Sequence, residues 1–123
     1  MAKLIQKPKP QEIRYSKENR VLEIEFDDGH QFSFPAEFLR VESPSAEVQG
    51  HSPSQKNIIG GKINVGINAI EPVGNYAIRI RFDDNHETGI FSWNTLHDYG
   101  EHQIEIWERY MKALEQNGLN RET

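Results

Sequence analysis

The residues with the most chemistry in this sequence are five histidines, and two of them close the same short phrase. EFDDGHQFSF at 25–34 and RFDDNHETGIFSW at 81–93 each set a histidine two residues after an aspartate, Asp28 with His30 and Asp84 with His86. A carboxylate beside an imidazole suggests a metal site, since both are ordinary ligands of zinc and of non-heme iron. A facial triad needs a second histidine nearby, and neither phrase supplies one. Among His30, His51, His86, His97 and His102 no pair has the four-residue spacing that puts two ligands on one helix face, and Gly100 falls between His97 and His102. On residue chemistry alone, two hairpin turns that end in histidine are the favoured reading. The alternative is a metal- or small-ligand-binding protein that uses His86 and His51 with Asp84 or Glu87.

Other chemistries fail on spacing. Lys62 after Gly60 and Gly61 resembles the end of a phosphate-binding loop, but that motif needs glycine at Lys56 and serine or threonine at Ile63. No Gly-x-Ser-x-Gly elbow supports a serine nucleophile. The absence of cysteine excludes disulfides, thiolate metal sites and cysteine nucleophiles.

The elements that must position these residues read as strands and turns. Leu22, Ile24 and Phe26 alternate with Glu23 and Glu25, the period of a half-buried strand, preceded by Ile13 and Tyr15 in the same rhythm. Asp27, Asp28 and Gly29 turn the chain, His30, Phe32 and Phe34 return it, and Pro35 opens a short helix through Arg40. The second half repeats this plan. Ile78, Ile80 and Phe82 alternate with arginines, 83–85 turn, 88–91 return, and a short helix follows near 92–99. Arg40 and His97 stand 57 residues apart, at matching places in the two short helices. Ile63, Val65 and Ile67 read as a further strand, with Pro72 and Gly74 as punctuation before the second hairpin. Ile104, Trp107, Met111 and Leu114 form the apolar stripe of a C-terminal amphipathic helix that Asn117 and Gly118 end. The expected fold is α+β: a small mixed or antiparallel sheet from two strand-turn-strand-short helix units plus that helix. The expected boundaries are a flexible basic tail over 1–10, one domain over 11–117 and a C-terminal tail over 118–123.

A stretch at 41–61, with Ser43-Pro44-Ser45 and Ser52-Pro53-Ser54, is long for a loop inside a small domain, and such loops often carry function. Ser43, Pro44, Ser45, His51 and Lys62 are its candidate ligand or partner residues. With 123 residues, 36% of them hydrophobic, the chain can bury a core without staples. A formal charge of -5 offers no general field for a phosphate backbone, so nucleic acid is not an expected partner. No apolar run suits a signal peptide or a membrane span, so the expected setting is cytoplasmic, without membrane contact.

FLRVESPSAEVQGH and GGKINVGINAIEPVGNYAIRIRFDDNHETGIFSW resemble the gamma-butyrobetaine hydroxylase-like N-terminal domain, irregular loop residues included. In the carnitine-pathway dioxygenases this domain precedes the catalytic jelly roll and holds a structural zinc through three cysteines and a histidine. The resemblance places those cysteines at Ser43, Ser45 and Val48 and the histidine at His86, while His30 matches no ligand. Two hydroxyls and an isopropyl group in place of three thiolates imply a degenerate site, with His86 its one remaining metal ligand. The iron and 2-oxoglutarate chemistry belongs to the domain that follows and is not implied here. Similar domains are joined to Mrp-like ATPases of iron-sulfur carrier work, which implies a role beside metal-cofactor metabolism. The reading is a non-enzymatic accessory module with no cofactor of its own and another protein as its partner.

Overall fold

The computed structural model describes residues 7–50 and 52–122. Each half of the chain forms a three-stranded antiparallel meander followed by a helix. The first sheet is β1 (Pro10–Ser16), β2 (Val21–Phe26) and β3 (Gln31–Pro35), with α1 (Ala36–Val41) after it. The second is β4 (Ile67–Val73), β5 (Ala77–Phe82) and β6 (Gly89–Ser92), leading into α3 (Trp93–Glu101). Between them lie α2 (Ala46–Gln49) and a 3-10 turn, Pro53–Gln55, and α4 (Gln103–Gln116) closes the fold.

The repeat extends to backbone detail. In each hairpin the last strand residue, Phe26 or Phe82, donates its amide to the carbonyl of the turn histidine, His30 or His86. Gly29 with φ 90° and Asn85 with φ 70° hold the same left-handed corner, one by lacking a Cβ and the other through the tolerance of asparagine for that region. Both first strands slip register at the same place, between Pro10 and Glu12 and between Ile67 and Ala69. There the first turn aspartate, Asp27 or Asp83, donates its amide to the carbonyl of Lys9 or Gly66.

The alternating strands bury one face each. Leu22, Ile24 and Phe26 of β2 join Ile78, Ile80 and Phe82 of β5 in one cluster with Phe34, Phe38, Leu39, Phe91 and Leu96. A second cluster gathers Val41, Tyr110 and Leu114, with Ile58, Ile59 and Trp107 against it. Burial of each such side chain contributes about 1.5–3 kcal/mol.

Two expectations need correction. The strand expected over 63–67 begins where that run ends. Residues 62–65 instead make a turn in which Val65 donates to the Lys62 carbonyl, and β4 continues to Val73. Pro72 is tolerated because β4 is an edge strand. The helix stripe is also rotated. Ile104 is 76% exposed and Met111 lies at the surface, while Ile106, Trp107, Tyr110 and Leu114 face the protein.

The segment after α4 is held in place. Gly118, with φ 66°, turns the chain so that Leu119 donates back to the Leu114 carbonyl. Gly61 and Ile63 then donate to the carbonyls of Asn120 and Arg121. The Arg121 guanidinium grips the buried Glu37 with two bonds of 2.8 and 2.7 Å and lies 5.2 Å over the Trp107 ring.

Helix α3 reaches the first sheet at Gly100, where a Cβ would stand 2.3 Å from the ring of Phe32. Elsewhere in a helix, alanine for glycine is worth up to about 1 kcal/mol. At Gly100 the sign reverses: Gly100→Ala is expected to destabilise by at least about 1–3 kcal/mol, the usual cost of overpacking. A raised denaturation midpoint would show that α3 does not seat on Phe32.

Candidate functional site

Each unit's helix carries a polar side chain to the aspartate of the other unit's turn. From α1, Arg40 donates through Nε to Asp84 Oδ2 at 2.7 Å, and Lys62 Nζ reaches the same oxygen at 2.6 Å. From α3, His97 sets Nε2 2.8 Å from Asp28 Oδ2. The two aspartates, and Arg40 and His97, are counterparts in the repeat. Burial pushes the Asp84 carboxyl up, but Lys62, Arg40 and the His86 amide outweigh it and hold its pKa down at about 2. In the other turn the His30 amide holds Asp28 well below the usual carboxylate range, with the His30 and His97 rings adding to the effect.

His86 turns inward, 5% exposed. Its Nε2 lies 3.0 Å from Ser43 Oγ and 3.2 Å from Ser45 Oγ, and its Nδ1 lies 3.1 Å from Glu47 Oε2 on α2. A carboxylate only accepts, so Nδ1 carries the proton and the Nε2 lone pair faces the two hydroxyls. Burial pushes the imidazole pKa down, with the Arg40 charge acting in the same direction and Glu47 opposing both. Serine, histidine and glutamate thus stand in the order of a nucleophile, its base and an orienting acid. Ser43 is 0% exposed, however, which closes the nucleophile to a substrate. Gly89 permits this packing, since a Cβ there would stand 2.5 Å from Ser43 Oγ.

The remaining candidates are placed as follows. Val48 is buried on α2, and Pro44 is half-buried. Lys62 is committed to Asp84, and Glu87 pairs with Arg81 at 2.8 Å. His51 lies outside the described residues. The 41–61 stretch is tied down by bonds within itself and by its contacts with α4. Gln49 donates to the carbonyl of Ser43, Asn57 to that of Val48, and Lys56 meets the buried Glu42 at 2.6 Å.

The structure assembles a group that the sequence reading left apart: Asp28, His30 and His97, whose ligand atoms lie within 4.8 Å of one another. Two signals pointed toward it, the repeated Asp-x-His phrase and the matching places of His97 and Arg40. Neither reveals that the helix of one unit crosses to the turn of the other.

A family model, gamma-butyrobetaine hydroxylase-like, N-terminal, matches residues 13–97. The chain belongs to this family. Two proteins whose structures were solved by NMR in solution are 44% and 38% identical to it, with TM-scores of 0.82 and 0.80. The first alignment covers 99% of this chain and 91% of the other, the second 94% and 90%. A crystal structure from Acidithiobacillus ferrooxidans, described as a protein with unknown function of the DUF971 family, is 40% identical with a TM-score of 0.61. That match covers 72% of this chain and 88% of the other. No curated protein matches.

The donors at Ser43, Ser45, Val48 and His86 do not make up a zinc-ligand set. Two neutral hydroxyls already bond the imidazole nitrogen that would ligate, and valine has no donor.

Two predictions follow from this packing. A histidine whose folded pKa is depressed contributes stability that is full above its unfolded value of about 6.5 and is lost as pH falls toward the folded value. Denaturation midpoints measured from pH 8 to 5 should therefore decline more shallowly in His86→Gln, the difference bounded by about 1.4 kcal/mol per pH unit for one proton. Parallel profiles would contradict a buried neutral His86. The second is a gain of function. Ser43→Cys, Ser45→Cys and Val48→Cys together should yield the intense visible bands of tetrahedral thiolate cobalt, and adding His86→Ala should weaken them. Unchanged bands would mean that His86 does not join the thiolates.

Proposed function

We propose that the chain is a non-enzymatic accessory module that docks a basic, apolar segment of another protein in the groove between the α3–α4 junction and Pro35 and Phe38. The observation that carries this reading is Ile104. It stands 76% exposed and lines a groove of about 740 Å³ together with Phe38 and Trp107. Burial of such a side chain against a partner is favourable by about 1.5–3 kcal/mol. Glu101, Glu105 and Glu108 line the same groove, so the field at its edge selects lysine and arginine around the partner's apolar residue. The closed Ser43–His86–Glu47 network supports a non-enzymatic role. On the resemblance to domains joined to Mrp-like ATPases, the process served is metal-cofactor or iron-sulfur metabolism. No helix among the described residues is long and apolar enough to cross a membrane.

Synthetic peptides with a leucine or phenylalanine flanked by lysines, and charge-reversed versions with glutamates, test the groove by amide and indole shifts. The basic peptides should move Gly100, Ile104 and Trp107, and the acidic ones should not. Ile104→Lys, at a surface position, should keep stability within about 0.5 kcal/mol and abolish the shifts. Shifts confined to residues 52–57, or equal shifts with both peptide sets, would overturn the groove as the docking surface.

A further inference from the structure

We infer that Asp28, His30 and His97 form a binding site for a divalent transition metal of the zinc class. The group is distinct from the degenerate site at His86 and lies in the other turn. His30 Nδ1 and His97 Nε2 both stand 2.8 Å from the same oxygen, Asp28 Oδ2. Donors around a zinc ion with ligand distances of roughly 2.0–2.2 Å lie roughly 3–3.5 Å apart, so the two nitrogen–oxygen spacings need a small expansion to admit the ion, while the two ring nitrogens stand within 4.8 Å of each other. Two imidazoles and one carboxylate suit zinc, nickel, copper or ferrous iron, and not calcium or magnesium, which take oxygen donors.

Three further observations point the same way. First, His97 lies between two carboxylates, with Nδ1 3.0 Å from Glu101 Oε1 and Nε2 on Asp28. A neutral imidazole donates from one nitrogen alone. A metal ion at Nε2 lets Nδ1–H donate to Glu101, the arrangement that orients metal-binding histidines. Second, the repeat supplies an internal comparison. Asp84 is matched by the permanent cations Arg40 and Lys62, whereas among the described residues the ion partners of Asp28 are imidazoles. A bound metal would give Asp28 the cation that its counterpart already has. Third, the rings are held in place. His30 stacks on Phe32 at 5.5 Å, and His97 meets Phe26 and Phe32 edge to face at 4.9 and 5.5 Å. Side-chain exposures of 50% for His30 and 29% for Asp28 against 13% for His97 leave the outer coordination positions open to water or to a further ligand.

Calorimetric titration of the full chain with zinc chloride, read together with long-range proton–nitrogen spectra of the histidine rings, tests the site. One zinc per chain should bind, moving His30 Nδ1 and His97 Nε2 and leaving His86 unmoved, while calcium chloride should move neither. His30→Gln, at an exposed position that should not disturb folding, should weaken binding about tenfold or more. Glu101→Gln, which removes the orienting carboxylate, should weaken it by about 10–100-fold. Zinc affinity unchanged by His30→Gln would overturn the site. So would ring shifts confined to His51, His86 or His102, or no binding at millimolar zinc.

Discussion

Each half of this protein makes a sheet with one apolar face that its own short helix is too small to cover. Leu22, Ile24 and Phe26 on one side and Ile78, Ile80 and Phe82 on the other therefore meet in a single cluster that the two halves share. The cross-unit contacts follow from this sharing. Once the faces are joined, α1 lies beside the second turn and α3 beside the first, which brings Arg40 to Asp84 and His97 to Asp28. Gly100 in α3 gives up helix propensity so that the ring of Phe32 can sit against the backbone.

The same repeat then gives the two turns different chemistry. In the second, guanidinium and ammonium groups neutralise the aspartate, and the histidine swings inward to two buried hydroxyls. In the first, the aspartate faces imidazoles and the histidine stays near the surface. The inward turn depends on Gly89, since a Cβ there would press on the Ser43 hydroxyl that bonds His86. One turn is closed by buried hydrogen bonds, and the other holds a carboxylate and an imidazole near solvent.

Much of this was legible in the sequence. Period-two alternation placed β2 and β5, and the Asp-Asp-Gly and Asp-Asp-Asn turns placed the hairpins; the resemblance implies a grouping of Ser43, Ser45, Val48 and His86, and the two hydroxyls bond the imidazole. The errors have physical causes. Ile63, Val65 and Ile67 alternate like a strand, but the turn at 62–65 moves the pairing to Ile67–Val73, where an edge position admits Pro72. In α4, Ile104 and Met111 fit a helical stripe as well as Ile106 and Tyr110 do, and only the position of the second cluster chooses between them. The contact of His97 with Asp28 spans 69 residues and depends on how the two units dock, which no local pattern encodes.

The claim that the halves share one core is tested most directly by residue-resolved hydrogen exchange at the buried strand amides of both sheets. Global opening exposes every core strand at one free energy, whereas units that open separately show two. The account predicts that Leu22 and Ile24 of β2 exchange at the same opening free energy as Ile78 and Ile80 of β5. A difference of more than about 1 kcal/mol between the two strands, with one sheet exchanging while the other stays protected, would contradict it.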